Sequence, residues 1–143
     1  MPYTLNWYIE DEIVYVRYSG DMTTDDFRAS LLQIIKMIDT SPRTLVHIIT
    51  DVGDVVKSLS IGEAMPVLRE TGSHARAGWS ITIREKSVLV KLAASMGSSL
   101  FRMRFRNFSS LDQAVIFLKQ TDKTLNWDKV REPLTQAQAE SAH

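Results

Sequence analysis

The stretch TLVHIIT, residues 44–50, is almost entirely apolar or β-branched and shows no alternation of polar and apolar side chains. A strand with this pattern is typical of a parallel sheet, in which helices cover both faces. It runs into the polar sequence DVGD, residues 51–54, which we expect to form a loop. TLVHIIT therefore predicts a buried central strand with a polar loop at its carboxyl end.

Two strands are predicted ahead of this stretch. Tyr3–Ile9 mixes aromatic and β-branched residues, and Ile13–Tyr18 alternates between two faces. Only a three-residue polar turn separates them, and strands joined so tightly must be antiparallel. We therefore predict an opening β-hairpin, with Gly20 at the end of its second strand.

The first helix is predicted between the hairpin and TLVHIIT. Thr23 is a favourable N-cap residue, and Asp26 three residues later resembles a capping box. Ser41-Pro42 ends the helix, because the residue before a proline avoids the helical conformation.

Strands and helices then alternate to residue 119. A second helix runs from an N-cap at Ser60 to Gly72, and Pro66 inside it predicts a late start or a kink. The remaining predicted elements are a strand at 78–84, a helix at 88–96 between Ser87 and Gly97, a strand at 101–105, and a helix at 111–119 capped by Ser109.

The strand at 101–105 carries arginines on one side. Arg102, Arg104 and Arg106 alternate with Phe101, Met103 and Phe105. Charge on one face is typical of an edge strand, where it blocks strand-to-strand aggregation. The arginines also form a candidate anion-binding face. We expect no nucleic-acid binding, because the alternation points the aromatic side chains away from the arginines.

This order of elements predicts an α/β fold with a five-stranded mixed sheet and about four helices. The opening hairpin supplies one antiparallel pair, and the strand–helix alternation supplies the parallel part. We expect a single domain over residues 1–121. Residues 122–143 are predicted to form a partly disordered C-terminal extension, because its end is polar and small.

Composition excludes several classes of protein. The 143 residues include no cysteine, which excludes disulfide scaffolds, thiolate metal sites and thiol catalysis. No apolar run is long enough to span a membrane and the N-terminus shows no signal-peptide pattern, so we expect a cytoplasmic protein. Residues 1–68 contain 5 basic and 10 acidic side chains, whereas residues 69–106 contain 8 and 2. This asymmetry indicates an anion-binding face, a self-complementary surface, or merely uneven solvated charge.

The element order, with a hairpin before the first helix and TLVHIIT ending at Asp51, resembles the SpoIIAA-like superfamily over residues 3–120. That superfamily holds the STAS domains of anti-sigma-factor antagonists and sulfate transporters, and the lipid-binding CRAL-TRIO domains are related to it. The closing FRMRFRNFSSLDQAVIFL, residues 101–118, is similar to the last strand and helix of uncharacterised bacterial members. The resemblance implies a non-enzymatic regulatory or interaction module that binds a protein partner or forms a homodimer.

One feature of the STAS antagonists is missing. In them a phosphorylatable serine directly follows the aspartate that ends this strand. Asp51 matches the aspartate, but Val52 and Gly53 follow it, and Ser58 and Ser60 lie further along. The phosphorylation switch therefore does not carry over at that position, which argues against a standard antagonist.

The candidate binding or switch loop comprises Asp51, Gly53, Asp54, Ser58 and Ser60. Open α/β sheets bind ligands at the carboxyl ends of their strands. Two carboxylates at this spacing suit a divalent cation, but aspartate and serine are also the usual turn and cap residues, which is the interpretation we favour. We predict no metal and no cofactor.

An enzyme is only a remote alternative. His47 lies in the predicted central strand as a hydrogen-bonded core residue, whereas His74 lies in a loop with Arg76. A small enzyme would be built on Asp51, His74 and Arg76, since histidine often serves as a general base. No nucleotide-binding, hydrolase or metalloprotease motif occurs, so we predict no catalytic residue.

A carrier of a lipid or small apolar molecule is the second alternative. It would use a pocket between the second helix and the sheet, lined by Met65, Val67, Leu68, Trp79 and Met96. The same side chains would also serve as ordinary core, which is the interpretation we favour.

Overall fold

The chain forms one five-stranded sheet with helices packed on it, as seen in a computed structural model that describes residues 2–72, 74–86 and 104–131. The strands are β1 (Tyr3–Ile9), β2 (Ile13–Asp21), β3 (Val46–Lys57), β4 (Ala77–Ile83) and β5 (Arg104–Phe108). The helices are α1 (Thr24–Thr40), α2 (Ile61–Thr71) and α3 (Leu111–Thr121), followed by a 3-10 turn, Trp127–Lys129. The predicted helix at 88–96 lies outside the described residues, which contain three α-helices against the about four expected.

The strand order is β1-β2-β3-β4-β5. β1 and β2 are antiparallel, and every later pair is parallel. The predicted mixed sheet with one antiparallel hairpin is therefore confirmed. No helix in the described segments is long and apolar enough to cross a membrane.

Two apolar cores lie on the two faces of this sheet. The first core joins the sheet to α3, and its fully buried members include Ile13, Ile49, Ile81 and Leu118. The second core joins the other face to α1 and includes Val14, Val16, Ile34, Ile38 and Val46. Alternate residues of β2 and β3 thus enter opposite cores, which explains why TLVHIIT shows no polar face.

The central strand is longer than predicted. β3 continues to Lys57, and its pairing with β2 extends through Ser19–Asp54 and Gly20–Val55. β2 correspondingly continues past Gly20, whose φ of +67° a glycine adopts without strain. The loop predicted at residues 51–54 is therefore wrong, because this ladder and the arginine contacts described below hold both aspartates in an extended strand.

The arginine strand ends three residues later than predicted, at Phe108. β5 begins at Arg104, and its register with β4 places Phe108 beside Ile83 in the first core. Phe101, Arg102 and Met103 lie outside the described residues. Within the described sheet, β5 pairs only with β4, so the predicted edge position is confirmed.

The helix caps follow the predicted chemistry with one exception. The Thr23 hydroxyl accepts the Asp26 backbone N–H at 3.1 Å, and Ser60 and Glu63 form a reciprocal capping box. That box starts α2 at Ile61, so the late start predicted from Pro66 is wrong. For α3 the N-cap is Ser110 rather than Ser109.

The chain after α3 packs back onto the sheet. Leu125 is buried in the first core, with Trp127 packed against it, as expected. Val130 bridges to Ile9, and the Arg131 backbone N–H donates to the Tyr8 carbonyl at 2.7 Å. Val130 thereby adds one isolated bridge beside β1; the tail from residue 132 lies outside the described residues.

Candidate functional site

A buried carboxylate lies midway along β3. Asp51 is 3% exposed, and its Oδ1 accepts the Gly53 backbone N–H at 3.0 Å. Its Oδ2 accepts the Tyr15 hydroxyl at 2.7 Å. Arg84 binds both oxygens, Nε to Oδ1 at 2.8 Å and Nη2 to Oδ2 at 3.1 Å. This fork geometry satisfies both carboxylate oxygens from the protein itself.

Arg84 is held in an uncommon backbone conformation. It follows β4 directly with a φ of +60°, in the left-handed region that only small or polar residues usually adopt. Gly53 makes room for its guanidinium, because a Cβ there would lie 2.3 Å from Arg84 Cζ. The glycine and the strained arginine together bring the guanidinium onto Asp51.

A second carboxylate, that of Asp54, lies nearer the surface and contacts the same arginine. Arg17 Nε donates to Asp54 Oδ2 at 2.8 Å, and Arg84 Nη2 lies 3.5 Å from the same oxygen. The hydrogen bond from Arg17 lowers the pKa of Asp54 below its usual value. Burial, together with the bond to Asp51, raises the pKa of Tyr15. We call Tyr15, Arg17, Asp51, Asp54 and Arg84 the Asp51 cluster.

The Asp51 cluster differs from both interpretations of these aspartates. They do not cap turns, since they lie within β3 and bind arginines. Nor do they gather a cation site: no group of three or more potential ligands occurs in the part of the chain that the structure describes. Asp51 and Gly53 are buried within the cluster, whereas Asp54 is 40% exposed at its side chain.

Exposed apolar side chains follow at the junction of β3 and α2. Val56 is 82% exposed and Ile61 is 61% exposed, more than the exposed Leu32 of α1 and Ile116 of α3. Ser58 lies between them and is exposed, while the Ser60 hydroxyl is engaged as the α2 cap. We call Val56, Ser58 and Ile61 the junction patch.

A histidine is buried at the opposite, amino end of β3. His47 is 1% exposed, and its Nδ1 accepts the Trp79 backbone N–H at 2.9 Å. Nε2 therefore carries the proton and donates to Asp122 Oδ2 at 2.8 Å. Both ring nitrogens are engaged, so this imidazole is not available as a general base. The predicted hydrogen-bonded core role of His47 is confirmed.

Arg43 connects this histidine to the C-terminal segment. Its Nη2 donates to Asp122 Oδ2 at 3.2 Å and to the Thr124 hydroxyl at 2.8 Å. Its Nη1 donates to Glu12 Oε1 at 3.2 Å. Above these groups a cleft of about 520 Å³ opens to solvent. It is lined by Pro42, Arg43, Thr44, Leu45, His47, Trp79, Thr121, Asp122 and Thr124. We call it the His47 cleft.

The predicted enzyme residues are not brought together. His74 Nε2 bonds to Asp39 Oδ1 at 2.6 Å, and Arg76 donates to carbonyls at the end of α1, including that of Ser41. The Val46 N–H pairs with the Arg76 carbonyl, so Arg76 lies at the start of β3. Asp51 lies five residues further along, or about 16 Å in an extended strand. A site combining Asp51, His74 and Arg76 therefore does not form.

The arginine face carries aromatic side chains, contrary to the prediction. Arg106 stacks over the Trp79 ring at 4.9 Å and lies 5.8 Å from the Phe117 centroid. Arg104 is exposed on the same side of β5, whereas Phe105 points to the other face. The predicted separation of aromatic residues from arginines is wrong here because the ring beside Arg106 comes from β4.

The carrier pocket is not formed by the residues predicted for it. Trp79 packs edge-on against Phe117 of α3 at 5.0 Å, in the first core. Val67 belongs to α2, which packs beside α1 on the other face. Met96 lies outside the described residues. These side chains belong to separate packing layers rather than to one cavity.

The buried histidine makes stability depend on pH. Burial lowers the pKa of His47 below its ordinary value of 6.5, so the unfolded chain binds the proton first. The free energy of unfolding should be level above pH about 6.5 and fall as the pH drops below it. Urea titrations between pH 8 and pH 5 measure this slope. An equally steep slope in His47→Gln would contradict the assignment of this pH dependence to His47. The comparison variant His74→Gln should keep the slope of the wild type.

A second loss follows at lower pH. Burial raises the pKa of Asp122, but hydrogen bonds from Thr124 and His47 outweigh it and hold that pKa at about 2. The Asp122 contribution is therefore complete above its unfolded pKa and disappears as the pH falls toward 2.

The fold is shared with a protein of known structure. The anti-sigma factor antagonist SpoIIAA, in its unphosphorylated form, superposes with a TM-score of 0.52 at 17% sequence identity. The match covers 82% of this chain and 96% of that chain. No protein-family model and no curated protein sequence matches the chain. The chain therefore has the SpoIIAA-like fold that its element order predicted.

Proposed function

We propose that this chain is a non-enzymatic regulatory module of the STAS type, which acts in the cytoplasm by binding another protein through the junction patch. The observation that carries the proposal is the exposure of Val56 and Ile61 at the end of β3. Exposed apolar side chains near the carboxyl ends of parallel strands are typical of a contact surface. The structural neighbour, the anti-sigma factor antagonist SpoIIAA, supports the same class of function.

The polar groups of the chain support a binding role over a catalytic one. In the Asp51 cluster each carboxylate is bound to arginine, and in the His47 cleft both imidazole nitrogens are engaged. A general base needs a free lone pair within reach of substrate. The arrangement therefore serves to fix the strands, and the Asp51 cluster holds the end of β3 from which the junction patch projects.

The proposal assigns no phosphorylation switch to Asp51 or to its neighbours. Val52 and Gly53 carry no hydroxyl, and the Ser60 hydroxyl accepts the Glu63 N–H at 3.2 Å as a helix cap. Ser58 is exposed, and a phosphate there would lie beside the apolar side chains of the patch. Ser58→Asp is therefore a useful probe of whether added charge weakens binding.

A photo-cross-linking experiment tests the proposal. A photoreactive amino acid at position 56 should capture a protein of defined mass in cells, and one at position 116 on α3 should not. With that captured protein purified, Val56→Asp/Ile61→Asp should bind at least about tenfold more weakly than the wild-type chain. The control Leu32→Asp/Ile116→Asp changes two exposed apolar side chains outside the junction patch and should bind as the wild type does.

Two results would contradict the proposal. One is equal weakening by the control pair, which would show that charge alone reduces binding. The other is the absence of any cross-link from position 56. Cross-linking to a second copy of this chain would show that the patch is a homodimer interface, and would replace a separate partner with self-association.

A further inference from the structure

The His47 cleft lies at the other end of the sheet from the junction patch. The carboxylates at its base already have hydrogen-bond partners, whereas donors at its side are available to a ligand. The Asp122 carboxylate accepts from Arg43, His47 and both the backbone and the hydroxyl of Thr124. The Arg43 guanidinium donates hydrogen bonds to Glu12, Asp122, Thr124 and the Leu45 carbonyl. The two carboxylates at the base are thus bridged by one arginine and need no further partner.

An exposed positive charge lies beside the cleft. Arg104 is the register partner of Trp79, is exposed, and makes no ion pair with any residue in the described ranges. Paired residues on adjacent parallel strands have side chains on the same face of the sheet, so the Arg104 side chain lies on the face of Trp79, which lines the cleft. The Trp79 indole N–H also makes no hydrogen bond within the described part of the chain. Both groups are donors, so they suit a ligand with acceptor oxygens.

Part of the remaining wall of the cleft is apolar, beside the threonines that also line it. Pro42, Leu45 and the Trp79 ring supply it, and the volume of about 520 Å³ falls within the range of small-molecule sites. Arg106 backs the Trp79 ring from β5 and fixes its position. An apolar wall with hydrogen-bond donors at one side is the pattern of a site for an amphiphilic anion.

We propose that the His47 cleft binds a small organic carboxylate with an apolar tail. The carboxylate meets the guanidinium of Arg104, whose planar fork matches its two oxygens. The tail lies along Pro42, Leu45 and Trp79. This site differs in place and in chemistry from the pocket between α2 and the sheet, and it is independent of protein binding at the junction patch.

Nuclear magnetic resonance of the full chain tests this directly, with sodium decanoate as the probe at concentrations below its micelle formation. The protein has three tryptophans, and each gives one indole N–H signal. Trp79 lines the cleft, whereas Trp7 packs in the second core and Trp127 lies in the 3-10 turn. The Trp79 signal should shift saturably with decanoate while the other two stay in place.

Matched probes and variants separate binding of the apolar tail from binding of the carboxylate. Decanol, which keeps the tail, and Arg104→Gln, which removes the charge, should each weaken binding about tenfold. The control Arg69→Gln, on exposed α2, should bind decanoate as the wild type does. The proposal is overturned if all three indole signals shift in parallel without saturation, or if Arg104→Gln binds decanoate with unchanged affinity.

Discussion

The Gly78→Ala variant is expected to lose about 3 kcal/mol or more of its free energy of unfolding. A Cβ at Gly78 would lie 2.4 Å from His47 Nδ1 and 2.7 Å from Cε1. The imidazole is fully buried and cannot swing into solvent, so it must move and break its bonds to the Trp79 N–H and to Asp122. The loss combines steric overpacking with two buried polar groups left without partners. Urea unfolding measures it.

Two further variants identify the cause of that loss. Gly62→Ala, on the exposed start of α2, meets nothing closer than the Ser60 hydroxyl at 3.9 Å and should leave stability unchanged or slightly raised. In a His47→Ala background, Gly78→Ala should cost much less, because the clashing ring is gone. If the two single losses simply add in the double variant, then the contact with His47 is not responsible.

Local pattern was sufficient to predict the helices and strands that the structure describes. TLVHIIT indicated a strand covered on both faces, and Thr23 and Ser60 marked helix starts, because each signal depends on neighbours within four residues. The predicted carboxyl end of β3 was wrong because it depends on a residue that is distant in the sequence. Asp51 is a poor strand residue by itself, and it stays in β3 because Arg84, 33 positions later, binds its carboxylate.

The two polar clusters show the same limit. A buried His47 was expected from its place in an apolar strand, but its partner Asp122 is 75 positions away. The predicted grouping of Asp51 with His74 was wrong. The sequence does not show which end of the sheet a loop residue such as His74 lies at, and the loop before β4 lies at the end opposite to Asp51. The proximity of Arg84 to Asp51 could have been predicted from the sequence. Arg84 directly follows β4, which is parallel to β3, and the register pairs its neighbour Ile83 with Asp51.

The Asp51→Ala variant should lose about 3 kcal/mol of its free energy of unfolding. It leaves the buried Tyr15 hydroxyl and the Gly53 N–H without an acceptor, and it frees Arg84 from its only fork-shaped contact. Asp54→Ala is the matched control. Its carboxylate is 40% exposed, so the loss there should be about 1 kcal/mol or less. Equal losses in the two variants would show that burial of Asp51 is not what makes it important.

The position of Asp51 also ties stability to the proposed binding surface. Without this carboxylate, Arg84 keeps the longer 3.5 Å contact with the partly exposed Asp54, and the weak strand propensity of residues 51–54 is no longer offset. The end of β3 should therefore open locally. Amide hydrogen exchange should therefore rise in Asp51→Ala at Val52–Lys57 but not at Val46–Ile49, which the two cores hold. Because Val56 projects from that end, the same variant should bind the cross-linked partner more weakly than Asp54→Ala does. Unchanged exchange at Val56 with weakened binding would instead place Asp51 in the contact itself, which its 3% exposure argues against.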